Sequence, residues 1–401
     1  MRKMNAKERV LKAFNHEEAD RVPFWEASID NLKVCKHFGT KYTFQGTSSG
    51  IKLLNRLFFG NAERLTRYLK KVARKPTLIR IGLKRIMKLY VKVGIDFSIS
   101  PLALFPVKYD KYGWVDDYAR RFDFKKIPGE KIDFSYYSGG VLKDMADYEE
   151  FYAQNPLDPD DPYRETNYRV SKEVEKKTNG KLYFMPAIIG MMEATWEGFG
   201  LPNFVRLLAK RKQIKKIFDD KGKFAVELTK RIIEWGETGA ILVFDDYGYK
   251  KGLFMSPRNY REYVFPWLTR ICETAHKGGL KVLLHSCGDI YQILEDIIKA
   301  GVDALHPIEP TTANPEYDIF KLKKKFGDQI CLIGNVSPQD LSDKDPDYIR
   351  QYTKRLLKEV APGGGFILSS GHSINPAVTL ENYLAMIDTL KKYGKYPIQI
   401  E

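Results

Sequence analysis

His285-Ser286-Cys287-Gly288 is the tetrapeptide of this chain best suited to holding a metal. In extended backbone, residues two apart face the same side, so the imidazole and the thiolate converge on one point while Ser286 turns away. Gly288 then lets the chain turn steeply. Nitrogen and sulfur donors together suit zinc; His372 can supply a third ligand, and an open fourth position, held at rest by Asp245, Asp246 or Glu193, would mark a catalytic site. The competing reading is a buried Cys beside a hydrogen-bonded His. Asp245-Asp246 follows the apolar run AILVF, where an unpartnered carboxylate is costly, so a functional site explains the pair better than packing does. The other cysteines, Cys35, Cys272 and Cys331, read as core, and His306 as a packing residue inside a strand. Gly363-Gly364-Gly365 precedes a strand rather than opening a helix and is not a phosphate loop.

The elements that must position these residues alternate short apolar runs with longer helical patterns, which implies βα units and a parallel sheet. Eight runs qualify as strands: residues 21–26, 96–101, 182–189, 240–245, 281–285, 304–308, 330–334 and 366–370. Eight such strands predict a closed (β/α)8 TIM barrel of the α/β class, in which chemistry gathers on the loops after the strand C-termini. Glu193 and Trp196 follow the third strand, Asp245, Asp246 and Tyr247 the fourth, and His285 and Cys287 end the fifth. Glu309, Asn335 and His372 follow the last three. Six consecutive strands thus end in polar or ionisable side chains, as one shared mouth requires.

Helix signals fit the same frame. Ser256-Pro257 caps a helix over 260–274 that stops at Gly278-Gly279, and Asp345-Pro346 opens another that runs to Val360. Residues 107–142 alternate aromatic and charged side chains and predict an antiparallel hairpin insertion. No internal repeat or flexible linker divides the chain, so residues 1–401 are read as a single domain.

The charge is uneven. The chain has 401 residues and a formal net charge of +15, but residues 51–93 hold 13 Lys and Arg against the single acid Glu63. Their apolar residues recur at helical spacing, which predicts a basic helical insertion broken at Gly60 and Pro76. Such helices dock on acidic partners, membranes or nucleic acid; a solvated face over a packed one is preferred here, because no nucleic-acid module accompanies them. No run reaches the roughly 20 apolar residues of a membrane span, the first residues are charged throughout, and the four cysteines are scattered, so a soluble cytoplasmic protein without disulfides is expected.

ERVLKAFNHEEADRVPFW, FDDYGYKKGLFMSPRNYREYVFPWL, HSCG, GNVSP and GGGFILSSGHSINPAVTLENYLAMID occur in that order. In this combination the chain resembles the uroporphyrinogen decarboxylase superfamily, and most nearly its cobalamin-dependent (corrinoid) methyltransferase branch. Decarboxylases of the family resemble one another in an arginine-rich stretch after the first strand that grips the substrate carboxylates, whereas this chain has VPFWEASID. The methyltransferase branch uses an H-x-C pair to hold zinc, here carried onto His285 and Cys287. That branch often supplies a Cys from the last loop, where this chain has His372.

The resemblance implies methyl transfer between a small molecule, such as a methoxylated aromatic, a methylamine or a thiol, and a corrinoid, in the manner of methanogenesis or O-demethylation. Asp245, Asp246 or Glu309 would manage a proton, with Glu193, Trp196, Tyr247 and Asn335 around the substrate. The chain lacks the D-x-H-x-x-G sequence typical of cobalamin-carrying modules, so the corrinoid would arrive on a partner protein. Two alternatives stand beside this reading: a metal-free carboxy-lyase using His372 and an aspartate, and a non-catalytic barrel that binds a partner through its basic helices. A homodimer is compatible with either; no nucleic-acid partner is expected.

Overall fold

Seven parallel strands form one continuous sheet in sequence order: β1 (Phe97–Pro101), β2 (Tyr183–Ile189), β3 (Ala240–Phe244), β4 (Lys281–His285), β5 (Ala304–His306), β6 (Cys331–Val336) and β7 (Phe366–Ser370). The computed structural model describes residues 4–40, 46–47, 61–104, 106–126 and 133–400. Residues 23–25 bridge the two edge strands and close the barrel. Trp25 N donates to Leu368 O at 3.0 Å and Leu368 N to Pro23 O at 3.0 Å on one side, while Asp96 N donates to Phe24 O at 2.8 Å on the other. The expected eighth strand is therefore present but reduced to a few rungs. Pro23 has no N–H, Val22 N is taken by Gly394 O, and Phe24 N donates to the Asp96 carboxylate.

Most strand ends agree with the sequence to within a residue or two. β5 stops at His306 because Pro307 cannot extend the ladder. β6 runs on to Val336 and takes Asn335 into the strand. The helix expected over 260–274 is interrupted: Ser256 caps Pro257–Asn259, a wide π turn covers Tyr260–Val264, and an α-helix resumes over Phe265–Lys277. Pro266 lacks the N–H that a regular turn needs, and the helix widens just before it. Asp345 caps Pro346–Glu359 as expected, accepting from Tyr348 N at 2.8 Å.

Both insertions leave the ring after its first two strands. The predicted break at Pro76 separates helices Ala62–Ala73 and Pro76–Val93, while Gly60 lies outside the described residues. Ile79, Leu83, Leu89, Tyr90 and Val93 of the second helix pack into the main core. The first helix instead buries Leu65 and Leu69 against Tyr109, flanked by Trp114 and Phe124 of the other insertion. That insertion is larger than the expected hairpin. Strands Lys108–Tyr109, Gly113–Val115, Arg120–Lys126 and Asp133–Gly140 form an antiparallel sheet, which Gly46–Thr47 extends at one edge. No helix among the described residues is long and apolar enough to cross a membrane.

The barrel seam depends on Asp96, which is 1% exposed. Its carboxylate accepts from Arg9 Nη1 at 2.5 Å, Arg21 Nη1 at 2.8 Å and Phe24 N at 2.8 Å. Removing it takes one carboxylate from two guanidinium groups, of which Arg9 keeps Asp20, and leaves the buried Phe24 amide without its acceptor; truncating one member of a buried ion pair costs about 3–5 kcal/mol. Asp96→Ala is therefore expected to lose roughly that much stability; urea denaturation checks it, and a loss under about 1 kcal/mol would show that the seam closes without the carboxylate.

Candidate metal centre and active site

His285 ends β4 with its side chain 9% exposed, and its two nitrogens have different partners. Nδ1 lies 2.7 Å from His306 Nδ1, which fixes the ring and leaves Nε2 facing Cys287 Sγ at 3.5 Å. His306 is itself fully buried on β5, held edge-on by Trp25 and 3.4 Å from Ser369 Oγ. Asp246 completes the group: its Oδ1 accepts from Cys287 N at 2.7 Å and lies 3.8 Å from His285 Nε2. Ligand atoms of Asp246, His285 and Cys287 all fall within 4.8 Å of one another. Ser286 points the other way, as the two-residue spacing requires, and its hydroxyl accepts from Tyr247 N at 3.0 Å. Gly288 has φ +83°, and a Cβ there would stand 2.3 Å from Gly248 C, so the turn after the pair requires glycine.

These donors fit zinc. Bonds of about 2.0 Å to nitrogen and about 2.3 Å to sulfur at a tetrahedral angle put the two atoms about 3.5 Å apart, and Nε2 and Sγ stand at 3.5 Å. Burial pushes His285 down to about 3, so its imidazole is the neutral, ligating form. The Cys287 thiol is pushed up by burial and then by Asp246, a direction that a coordinated dication reverses.

Carboxylates crowd one side of this group. Asp245 is fully buried at the N-terminus of helix Met191–Phe199, where Oδ1 accepts from Glu193 N at 2.8 Å and Oδ2 has no partner. Burial raises Asp245 and Asp246 to about 7. Burial and neighbouring carboxylates raise Glu193 and Glu197 to about 8. Arg120 from the inserted sheet meets them, with Nη1 2.9 Å from Glu193 and 3.0 Å from Glu197 and Nε 2.8 Å from Asp116. Trp196, on the same helix face as Glu193 and Glu197, forms an aromatic wall with Phe254 at 5.0 Å and Tyr137 at 5.8 Å.

Several expected roles change. His372, expected as the third ligand, stands outside the group: it is exposed with Nδ1 3.1 Å from Ser373 Oγ, because its carbonyl is drawn back onto Ser370 Oγ and the side chain stays at the rim. Asp246 takes its place beside His285 and Cys287. Glu309 braces the turn instead of facing an open space, accepting from Gly288 N at 2.8 Å and Thr311 Oγ1 at 2.9 Å. Asn335 is 2% exposed and its amide ties Ile308 O to the Tyr352 hydroxyl, which leaves it no free face for a substrate. Tyr247 is fully buried behind Asp245. Arg120, Glu197 and the orienting role of His306 escaped the sequence reading. His306 reads from the sequence as a packing residue inside a strand, and nothing in the alternating text around Arg120 marks it.

With this geometry in view, comparison with known proteins gives the family. The sequence profile of uroporphyrinogen decarboxylase (URO-D) matches residues 141–393, well over half of the chain, and the chain belongs to that family. Uroporphyrinogen decarboxylases from Coxiella burnetii and Idiomarina loihiensis are 29% identical over 157 residues and 30% identical over 160 residues, respectively. These stretches cover 38% and 39% of this chain but only 40% and 41% of the relatives. A solved methyltransferase from Methanosarcina mazei shares the fold over 98% of this chain and 99% of its own, with TM-score 0.63 and 17% identity.

The close packing of Asp245 against the helix start tests this arrangement. A Cβ on Gly190 would meet Asp245 Cγ at 2.2 Å. Gly190→Ala is expected to cost about 1–3 kcal/mol through overpacking and to displace Asp245, read as a lower urea midpoint; an unchanged midpoint would show that the two are not in contact.

Proposed function

We propose that this protein is a zinc-dependent methyltransferase that moves a methyl group between a small molecule and a corrinoid carried by a partner protein. The observation that carries this reading is the 3.5 Å approach of His285 Nε2 and Cys287 Sγ, oriented by His306 and joined by Asp246. His285, Cys287 and Asp246 would hold the ion. When bound, zinc supplies Lewis acidity toward the substrate's sulfur, oxygen or nitrogen.

The chain's own groups do the rest. Trp196, Phe254 and Tyr137 offer an aromatic wall for the substrate body. Asp245 and Asp246, raised to about 7 by burial, are matched to taking or giving a proton near neutral pH. The carboxylate side of the site weighs against a porphyrinogen: its guanidinium, Arg120, is already paired with Asp116, Glu193 and Glu197, which leaves it little capacity to grip several substrate carboxylates. The stretch VPFWEASID, which includes the closing segment, holds no arginine to grip substrate carboxylates. A carboxy-lyase acting on another acid remains the second reading, favoured by His372 at the rim.

Purified wild-type protein is expected to hold about one zinc per chain, with Cys287→Ser and His285→Ala falling below about a tenth of an equivalent and His372→Ala retaining the ion. Less than about a tenth of an equivalent in the wild type would remove the metal from the mechanism. Methyl transfer from methoxylated aromatics, methylamines or methylated thiols to free cob(I)alamin tests the reaction; no turnover together with carboxylate loss from a porphyrinogen would reverse the two readings.

The basic helix Ala62–Ala73 is fastened to the sheet that delivers Arg120, and both insertions follow strands at the mouth side of the barrel. We take this helix as a collar that attracts an acidic corrinoid protein. Replacing Arg67, Lys70 and Lys71 by Glu is expected to slow association with that partner roughly tenfold at low salt while transfer to free cob(I)alamin is unchanged; equal loss of both rates in a folded variant would place the helix in the active site.

A further inference from the structure

Glu26 ends the segment that closes the barrel and takes no part in the metal group. Trp25 points inward, stacked on Phe97 at 4.6 Å and edge-on to His306 at 4.5 Å. The next residue in extended backbone faces the opposite way, so Glu26 projects outward between the first and last strands and the helices packed on them. It is 0% exposed. Its Oε2 receives Ser370 N at 3.3 Å and lies against Ser370 Oγ, while Oε1 has no partner. The titratable groups that share these surroundings are Tyr90 of helix Pro76–Val93, Tyr383 of helix Leu380–Tyr393, Cys35 of helix Leu32–His37, and Asp30. None of them is a cation, and among the described residues no Lys, Arg or His pairs with Glu26.

Counting hydrogens decides the charge of this carboxyl. The Ser370 hydroxyl has one hydrogen and two close oxygen neighbours, Glu26 Oε2 and the His372 carbonyl. A carbonyl only accepts, so the hydroxyl hydrogen goes to His372 O. The hydrogen between Ser370 Oγ and Glu26 must then come from the carboxyl. A charged carboxylate would also leave a fully buried anion with no cation beside it among the described residues, which is costly. We propose that Glu26 is a neutral carboxylic acid that, through Ser370, holds the loop after the last strand and so positions His372 at the rim of the Asp246–His285–Cys287 group.

The surrounding backbone fits this role. Segments 28–30 and 374 continue the same seam, with Ile374 N donating to Ser28 O at 2.9 Å and Asp30 N to Ile374 O at 2.9 Å. Glu26–Ser370–His372 is thus the side-chain rung that ties the His372 backbone into a seam otherwise made by main chain. Burial carries the Glu26 carboxyl up to about 8. Once ionised, it would draw the Ser370 hydrogen to itself and release the His372 carbonyl. Glu26 is a positioning residue: it touches neither the metal group nor the substrate wall. The inference holds whichever reaction the site performs.

Glu26→Gln tests it, since a neutral amide can still donate to Ser370 Oγ. In the wild type at neutral pH, the infrared C=O stretch of a protonated carboxyl is expected, and that band is lost from the Glu26→Gln difference spectrum. A folded pKa raised above the unfolded value means that the native state holds an extra proton between about pH 4.5 and about 8. Stability should accordingly be greatest below that window and fall as pH rises through it, and the fall should be shallower in Glu26→Gln. The His372 ring resonance, assigned with His372→Ala, is expected to shift as pH passes about 8 in the wild type but not in Glu26→Gln. If Glu26→Gln does not fold, Ser370→Ala replaces it: the carboxyl band stays while the His372 resonance loses its response near that pH. A wild-type spectrum without a band assignable to Glu26, or a His372 resonance whose response survives both substitutions, overturns the proposal.

Discussion

Closure of the parallel sheet is the constraint on which everything else in this molecule depends. Residues 23–25 contribute only a few hydrogen bonds to β7 and the start of β1, yet they turn an open sheet into a ring. In a ring, the C-terminal ends of all strands face one mouth, so side chains far apart in sequence become neighbours. Asp246 and Cys287 meet for that reason, although 41 residues separate them. The Asp96 carboxylate, shared by two arginines and a main-chain amide, keeps the bridging segment in register despite Pro23.

Within the mouth, the dominating physical fact is an excess of buried acid over buried base. Glu193 and Glu197 share the Arg120 guanidinium; burial raises Asp245, and burial together with neighbouring carboxylates raises Glu193, Glu197 and Asp246. A site in that condition favours protons and cations, because either relieves repulsion that solvent cannot screen. The imidazole–thiol–carboxylate group is a place where a dication would do so, and the His285–His306 contact prepares it by fixing which nitrogen faces Cys287. Helix Met191–Phe199 contributes from two directions at once. Its N-terminal amides hold Asp245, while one of its faces presents Glu193, Trp196 and Glu197 to the mouth.

The insertions show a division of labour between the ring and what is added to it. The ring brings His285, Cys287 and Asp246 together, while the antiparallel sheet supplies Arg120, the cation paired with Glu193 and Glu197. One of the basic helices, Ala62–Ala73, packs on that sheet, so charge distant in sequence from the site residues is joined to the sheet that carries Arg120. Their apolar stripes were legible from residue spacing, since three- and four-residue periodicity reports directly which side of a helix is buried. The sheet that receives Leu65 and Leu69 was underestimated, because Gly46–Thr47 is too short to carry an alternating pattern.

By itself the sequence determined which side of its own strand each residue would take: His285 and Cys287 together, Ser286 away, and a polar residue at the end of strand after strand. Those relations are local and follow from backbone period. It also marked the proline and glycine punctuation that bounds the elements, and the family. Only the tertiary structure decided who meets across strands. Asp246 rather than His372 stands beside His285 and Cys287, Asn335 and Glu309 are held by their own neighbours, and Glu26 faces a serine instead of water. Such meetings depend on register, closure and the path of each loop, which arise from hydrogen bonds between distant segments and leave no periodic trace in the chain.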